Sequence, residues 1–129
     1  MNFIESIQTC YKKTFNFKDR ASKSEFWWFY LYDLIIYVAG EMLLKTDSNE
    51  NLIYSEGVVA LGLILTVLFI INLIPAAAVG VRRLHDTNRS GWWYLLFIVP
   101  LITLVALYFC TNDGSKDKNR FGSKPKNKL

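Results

Sequence analysis

The chain contains 129 residues, of which 52% are hydrophobic and 16% aromatic, and it carries a formal net charge of +4 at pH 7. This length leaves room for one compact unit of about 100–150 residues and excludes a second domain of ordinary size. The hydrophobic share is high for a soluble domain of average composition, which favours a membrane protein.

The apolar residues are concentrated in three runs, residues 26–44, 58–81 and 92–110. Each run approaches or exceeds the roughly 20 residues that a helix needs to cross about 30 Å of hydrocarbon. We therefore predict an all-α fold, a polytopic membrane helix bundle with three transmembrane helices plus an N-terminal amphipathic interfacial helix. The predicted spans are residues 26–44, 55–81 and 92–110, within a single membrane domain of residues 1–129.

Residues 1–25 precede the first span. Apolar side chains recur at helical spacing within them, at Phe3, Ile4, Ile7, Tyr11 and Phe15. The segment is too short to span, so we interpret it as an amphipathic helix in the membrane interface, with its apolar stripe in lipid and its lysines toward anionic headgroups. The alternative is a helix that packs on the protein's own spans.

A helix start is predicted directly before the first span. Ser22-Lys23-Ser24-Glu25 has the form of a capping box, in which the Ser22 hydroxyl and the Glu25 carboxylate each accept a hydrogen bond from a free backbone amide. Trp27 and Trp28 follow, and we expect both at headgroup depth, where amphipathic rings are favoured.

The first span contains two acids, Asp33 and Glu41. An acid in hydrocarbon costs on the order of 3 kcal/mol, so the face that carries it should point toward protein or water. At 100° per residue, that face comprises Asp33 with Phe26, Tyr30, Tyr37 and Gly40.

The second span is interrupted by Asn72 and Pro75. Proline removes one backbone hydrogen bond and commonly bends a transmembrane helix. Asn72, Ala76, Val79 and Arg83 fall on one stripe, which leads from a buried amide to an arginine at the membrane edge.

The twelve residues Arg82–Trp93 contain three arginines, the only histidine and two tryptophans. Arginine is planar, permanently charged and a bidentate partner for phosphate or carboxylate, so the turn at residues 82–91 has three interpretations. Its arginines bind anionic lipid headgroups, or they lock the structure, with Arg83 reaching Asp33, or they act only as topology determinants.

His85 and Asp86 suggest a metal site or a general base, but a metal site normally needs three or four ligands and the chain has no second histidine. The sequence has no Gly-rich phosphate loop, clustered cysteines or Ser-His-Asp arrangement. We therefore predict no catalytic residue, no cofactor and no metal. We expect His85 and Asp86 to shape the turn, with Asp86 or Ser90 accepting hydrogen bonds from free amides before the third span.

The Lys and Arg residues predict the orientation: five lie in residues 1–25, one in 45–57, three in 82–91 and six in 111–129. The first three counts place the N-terminus inside, the first loop outside and the turn inside. Three spans then place the basic C-terminal tail outside, although its charge favours the inside. The alternative is a re-entrant segment 92–110 that folds back at Pro100 and leaves both termini inside.

The tail, residues 111–129, is polar and rich in glycine and lysine, so we expect a solvated surface segment without a packed core. It lacks a recognisable nucleic-acid-binding fold, and no nucleic-acid partner is predicted. Cys10 and Cys110 flank the membrane region, and no disulfide is expected.

Three stretches match recognisable motifs. Phe17–Trp27 matches F-x-G-R-x-x-R-x-E-[YF]-W in part, Arg82–Trp93 matches R-R-L-H-D-x-x-x-S-[GA]-W-W in full, and Asn119–Pro125 matches N-R-[FY]-G-x-x-P. With these motifs the whole chain resembles a bacterial inner-membrane family called domain of unknown function 805. The departures are Asp19 and Asp117 in place of glycines, Lys23 in place of an arginine, and Lys124 in place of an acid. The resemblance implies an inner (cytoplasmic) membrane location and an architecture, and it implies no mechanism.

We expect a structural or interaction role for thirteen residues: Arg20, Glu25, Trp27, Asp33, Arg82, Arg83, His85, Asp86, Ser90, Trp92, Asn119, Phe121 and Gly122. The predicted function is that of a non-enzymatic structural or interaction protein. Its expected partners are the lipid bilayer, anionic lipid headgroups, and a homo-oligomer or another membrane protein. The alternative is a small oligomeric transporter or channel component that uses Asp33, Asn72 and Glu41.

Overall fold

The computed structural model describes residues 1–44, 56–98 and 100–125, and within these residues the fold is all-helical, without a β-strand. The helices are α1 (Phe3–Lys12), α2 (Lys23–Leu44), α3 (Glu56–Asp86), a 3₁₀ helix (Gly91–Ile98) and α4 (Pro100–Thr111). Most of the predicted external loop, residues 45–55, lies outside the described residues.

Two of these helices, α2 with 22 residues and α3 with 31, are long and apolar enough to cross a membrane. Only 22% and 11% of their most apolar 18-residue windows are buried within the protein. Large exposed apolar surfaces are unfavourable in water, so both helices suit a lipid environment. The first two predicted spans are therefore matched by span-length helices.

Helix α1 begins at a capping box that the sequence analysis missed. The Asn2 side chain accepts a hydrogen bond from the Glu5 amide at 2.8 Å, and Glu5 accepts one from the Asn2 amide at 3.3 Å. The helix ends at Lys12, so Phe15, the last residue of the predicted apolar stripe, lies beyond it.

One face of α1 packs on the protein's own helices, which was the alternative interpretation of this segment. Phe3 packs edge-on against Trp28 of α2, with ring centroids 5.8 Å apart, and Ser6 and Cys10 are buried. Ile4 is 65% exposed and Phe15 is 82% exposed, so part of the predicted apolar stripe stays free to meet lipid.

The chain divides into two compact units, one formed by Met1–Tyr30 with Ile74–Leu129 and the other by Leu31–Leu73. In the second unit, α2 and α3 pack antiparallel. Tyr37 contacts Phe69 with ring centroids 5.3 Å apart, and a Cβ added at Gly40 would lie 3.4 Å from the Thr66 hydroxyl.

The polar residues of this helix pair are only partly brought together. Asp33 and Asn72 are both buried, and their side chains interact. Glu41 is exposed. The predicted inward face is confirmed for Phe26, Asp33 and Gly40, whereas Tyr30 and Tyr37 are 41% and 46% exposed.

Helix α3 extends five residues beyond the predicted span and includes Arg82–Asp86, so the turn predicted at residues 82–91 begins as helix. Pro75 lies inside α3 without ending it. The helix ends in a Schellman motif: Asn88 adopts φ 59°, the Arg89 amide donates to Leu84 O at 2.9 Å, and the Asn88 amide donates to His85 O at 3.0 Å. Asparagine tolerates this left-handed conformation better than most residues.

The third predicted span, residues 92–110, is not one helix. It comprises the eight-residue 3₁₀ helix and the twelve-residue α4, which at 1.5 Å per residue is only about 18 Å long. Helix α4 begins at Pro100, which suits a first helical position because it has no N–H to leave unpaired.

The two ends of this segment lie side by side. Trp93 packs edge-on against Phe109 with ring centroids 5.5 Å apart, and the Arg89 guanidinium lies 3.7 Å above the same ring. Residues 89 and 93 could not both contact residue 109 if the intervening segment ran straight across a bilayer. The chain therefore reverses its direction between Trp93 and Phe109.

Candidate functional site

Five buried charged side chains form one group, which we call the arginine cluster: Arg20, Glu25, Arg82, Arg83 and Asp86. The first two flank the start of α2, and the other three form the last turn of α3. The cluster carries three positive and two negative charges. Arg82 and Arg83 have no exposed surface, which is rare for arginine and requires that their charges be paired.

Asp86 joins two of the arginines. Its Oδ1 accepts from Arg20 Nε at 2.9 Å and lies 2.8 Å from Arg20 Nη2, while its Oδ2 accepts from Arg83 Nη1. We expected Asp86 or Ser90 to accept hydrogen bonds from free amides before the third span. Both carboxylate oxygens of Asp86 instead accept from guanidinium groups.

Arg82 pairs with Glu25. Arg82 Nη1 lies 3.0 Å from Glu25 Oε1, and Arg82 Nε donates to Ala78 O at 3.2 Å within α3. The Nη1 contact has ion-pair distance without good hydrogen-bond alignment, and Nη2 has no hydrogen-bond partner among the described residues. The Cys10 thiol also approaches Glu25 Oε1, at 4.0 Å, which connects α1 to the cluster.

This pairing changes the predicted capping box. The Glu25 amide donates to Ser22 Oγ at 3.2 Å, so the serine half is confirmed. The Glu25 carboxylate pairs with the Arg82 cation instead of a backbone amide. A buried guanidinium needs an anion more than an amide at a helix start does, because an uncompensated buried charge is far more costly.

The guanidinium of Arg83 is fully engaged within the chain. Nε donates to Cys110 O at 3.0 Å, Nη2 donates to Asn112 O, and Nη1 reaches Ala21 O at 3.5 Å in addition to Asp86. One of our expectations was that Arg83 reaches Asp33. The acid that pairs with Arg83 is instead Asp86. With no exposed surface, Arg83 is also a poor ligand for lipid headgroups.

Arg20 binds the C-terminal tail. Its Nη2 donates to Ser115 O at 2.6 Å, and its Nη1 donates to Asp117 O at 2.8 Å and Gly122 O at 3.3 Å. The tail was predicted to be a solvated segment. Residues 112–122 are instead held against the arginine cluster by their backbone carbonyls, an arrangement that side-chain patterns do not reveal.

Carbonyls near the end of α3 also accept hydrogen bonds from these segments. Arg82 O accepts from the Ala21 amide at 3.0 Å, and Asp86 O accepts from the Ser115 amide at 2.8 Å. His85 O accepts from Asn119 Nδ2 at 2.9 Å. The helix end, the N-terminal segment and the tail are thereby joined by backbone as well as side-chain bonds.

The remaining motif residues of the tail surround His85. The Phe121 ring stacks on the imidazole with centroids 3.9 Å apart and an interplanar angle of 3°. Asn119 and Gly122 form an isolated β-bridge, and Gly122 has φ 126°, a conformation that favours glycine. His85 therefore helps to position the tail.

Four predicted residues, Trp27, Asp33, Ser90 and Trp92, lie outside both the arginine cluster and the group of tail residues around His85. Trp27 contacts Phe26 with ring centroids 5.2 Å apart, and Asp33 lies in the other compact unit. The Trp92 amide reaches Ser90 Oγ only at 3.5 Å, a weak version of the expected cap. The Trp92 side chain is 79% exposed.

An exposed ion pair lies beside the cluster. Lys23 Nζ donates to Asp113 Oδ1, and this hydrogen bond and positive charge hold the pKa of Asp113 below its ordinary value of 3.8. Among the described residues there is no group of three potential metal ligands of the His, Cys, Asp and Glu types. The arrangement as a whole can hold segments of the chain together.

Comparison with known proteins identifies the family. The profile described as "Protein of unknown function (DUF805)" matches residues 14–123. The chain is similar to "Inner membrane protein YhaH" of Escherichia coli, with 38% identity over 117 residues, 89% of this chain and 91% of that protein. It is equally similar to "Inner membrane protein YhaI" of the same species, with 38% identity over 121 residues, 89% of this chain and 90% of that protein. No solved structure matches the chain.

Proposed function

This chain belongs to the DUF805 family, and from that membership we propose that it is an integral protein of the bacterial inner membrane with a non-enzymatic structural or interaction role. The names of the two relatives support the location. The low burial of α2 and α3 supports insertion in a bilayer.

One observation carries the structural role: the guanidinium groups of the cluster bind acids and carbonyls of the chain itself. Arg20 and Arg83 together fasten the start of α2, the end of α3 and the tail. A site that binds an external ligand needs donors left over for it, and these two arginines have their donors occupied. The cluster thus joins the start of α2, the end of α3 and residues 112–122 of the tail at one end of the spans, and we call this assembly the platform.

We propose that this platform lies on the cytoplasmic side and that residues 91–111 form a re-entrant helical hairpin. The contacts of Phe109 with Arg89 and Trp93 support the hairpin. With this topology, all of the fifteen Lys and Arg residues except Lys45 lie inside, in agreement with the positive-inside rule. The three-span topology would instead place the six basic residues of the tail outside.

Cysteine accessibility tests this topology. Lys118 is exposed, so Lys118→Cys is introduced into a protein whose native Cys10 and Cys110 are replaced by alanine. A membrane-impermeant maleimide applied to spheroplasts should label Lys118→Cys only after permeabilisation. Asn49→Cys, in the predicted external loop, is the control and should be labelled without it. Labelling of both positions in intact spheroplasts would show that the tail is external.

Arg83→Ala tests the structural role. Because it removes one of the two arginines that pair with Asp86 and the donor to the carbonyls of Cys110 and Asn112, we expect the amount of protein in the membrane to fall several-fold. Arg120→Ala is the matched control, since Arg120 is exposed and makes one backbone hydrogen bond, to Asn88 O at 3.1 Å. Equal membrane levels of the two variants would contradict the proposal.

A second candidate function, an oligomeric transporter or channel component, is favoured by the buried Asp33–Asn72 pair within the helices. Glu41, the third residue of the expected polar path, is exposed and does not join them. Proton flux into proteoliposomes that falls on Asp33→Asn would support transport, and flux unchanged by this substitution would exclude that role for Asp33.

A further inference from the structure

A polar cavity of about 430 Å³ opens between the start of α2 and the tail. Ser22, Lys23 and Ser24 line one side, and Asp113, Lys116 and Lys124 line the other. Arg83 and Asp86 of the arginine cluster form part of its wall. We call this space the lysine cavity.

The charges that line the lysine cavity do not balance. Arg83 is paired with Asp86, and Lys23 is paired with Asp113. Lys116 and Lys124 form no ion pair within the part of the chain that the structure describes, and both are exposed. The lining therefore holds four basic side chains and two acidic ones, and this excess of positive charge favours an anion there.

The lysine cavity also offers neutral hydrogen-bond donors. The hydroxyls of Ser22 and Ser24 lie 3.1 Å apart, so one can donate to the other and leave a proton available for a ligand. A phosphate group has several strong acceptor oxygens and can accept from lysines and hydroxyls together. Lysine binds phosphate as a compact point charge and needs no planar geometry.

We propose that the lysine cavity binds a phosphate group. The position of the cavity favours the headgroup phosphate of an anionic phospholipid over a soluble phosphate compound. Ser24 lies three residues before Trp27 and four before Trp28, and tryptophan is favoured at headgroup depth. This preference for lipid depends on the proposed membrane insertion, whereas phosphate binding itself depends only on the cavity.

The test uses the full-length protein in neutral detergent at low salt. Water-soluble dihexanoyl phosphatidylglycerol, dihexanoyl phosphatidylcholine and inorganic phosphate are titrated separately, and a Kd is obtained from the shift of the melting temperature. We expect phosphatidylglycerol to bind more tightly than phosphatidylcholine, which has the same phosphate but no net charge.

The double variant Lys116→Gln/Lys124→Gln removes the two uncompensated charges. Near a membrane surface each lysine contributes about 1 kcal/mol to anionic-lipid binding, so we expect the Kd for phosphatidylglycerol to rise about 30-fold. Lys12→Gln/Lys18→Gln removes the same charge from exposed positions outside the cavity, and its Kd should change less than about 3-fold. Lys116→Arg/Lys124→Arg keeps the charge and should restore binding.

Each outcome decides the proposal. A loss of phosphatidylglycerol binding that is confined to the cavity variant supports the proposal. If inorganic phosphate alone binds weakly, the ligand is a lipid. If inorganic phosphate competes with phosphatidylglycerol, the ligand is a soluble phosphate compound. Equal Kd values for the cavity variant and the wild-type protein, or equal losses in both double variants, would overturn it. Because the titration is done in detergent, its failure leaves the cysteine-labelling result unaffected, and the reverse also holds.

Discussion

Asp86→Asn is the substitution that tests the arginine cluster most directly. Asparagine keeps the size of the side chain and removes the negative charge shared by Arg20 and Arg83. Glu25 would then be the only acid of the cluster, and it is already paired with Arg82. The buried guanidinium groups of Arg20 and Arg83 would lose the anion that they share, and no cavity would form because the side chain keeps its size.

The magnitude follows from burial. The Asp86 side chain is 6% exposed and that of Arg20 is 1% exposed, so solvent screens the interaction little. Removing one partner of a buried ion pair typically costs 3–5 kcal/mol, because the other charge is left uncompensated. Both arginines use the same carboxylate, so we expect about this total and not twice as much. In a chain of this length that corresponds to a fall in Tm on the order of 10 °C or more.

The assay is thermal unfolding in detergent, followed by limited trypsin digestion at a temperature where both proteins are folded. The variant should release the tail, because Arg20 no longer has a fixed position from which to bind Ser115 O and Asp117 O. Cleavage within residues 116–120 should then be faster than in the wild-type protein.

Asp113→Asn is the matched control, since it removes an acid whose side chain is 96% exposed and paired with Lys23. Exposed ion pairs contribute little to stability, and the Tm should stay within experimental error of the wild-type value. A similar Tm for Asp86→Asn and the wild-type protein, with no faster tail cleavage, would refute the structural role assigned to the cluster.

Two further predictions concern the same compact unit. Gly80→Ala should destabilise the protein by about 1–3 kcal/mol in detergent unfolding, because the added Cβ would overlap the Tyr94 ring. Gly57→Ala is the control and should be neutral or slightly stabilising, because nothing lies within 4 Å of its added Cβ. Lys23→Gln should return the pKa of Asp113 toward 3.8 in a carboxyl NMR titration. Because the pair lowers this pKa in the wild-type protein, the stability that the pair contributes is present above pH 3.8 and is lost as the pH falls through the lowered pKa.

The sequence predicted those features that depend on local pattern. Apolar length predicted α2 and α3, and the Asn72–Ala76–Val79–Arg83 stripe is largely buried, as its helical spacing indicated. Motif content identified all five members of the arginine cluster. These predictions succeed because helix period and apolar length are properties of contiguous residues.

The partners within the cluster could not be predicted in the same way. Glu25 was assigned to a capping box because the amide of Ser22 is only three residues away in sequence. Arg82 is 57 residues away and contacts Glu25 only in the folded chain. The tail was interpreted as solvated because its side chains are polar. Its binding groups are the carbonyls of Asn112, Ser115 and Asp117, which every sequence has and no pattern identifies.

The contrast between the cluster and the lysines explains why this chain uses both cations. Arg83 donates in three directions, to Asp86, to Cys110 O and to Asn112 O, which a planar guanidinium can do and a single ammonium cannot do with the same geometry. Lys116 and Lys124 of the lysine cavity are exposed, where a flexible point charge retains its hydration. The platform instead requires arginine, because the fixed donors of a buried guanidinium bind a carboxylate and several tail carbonyls at the same time.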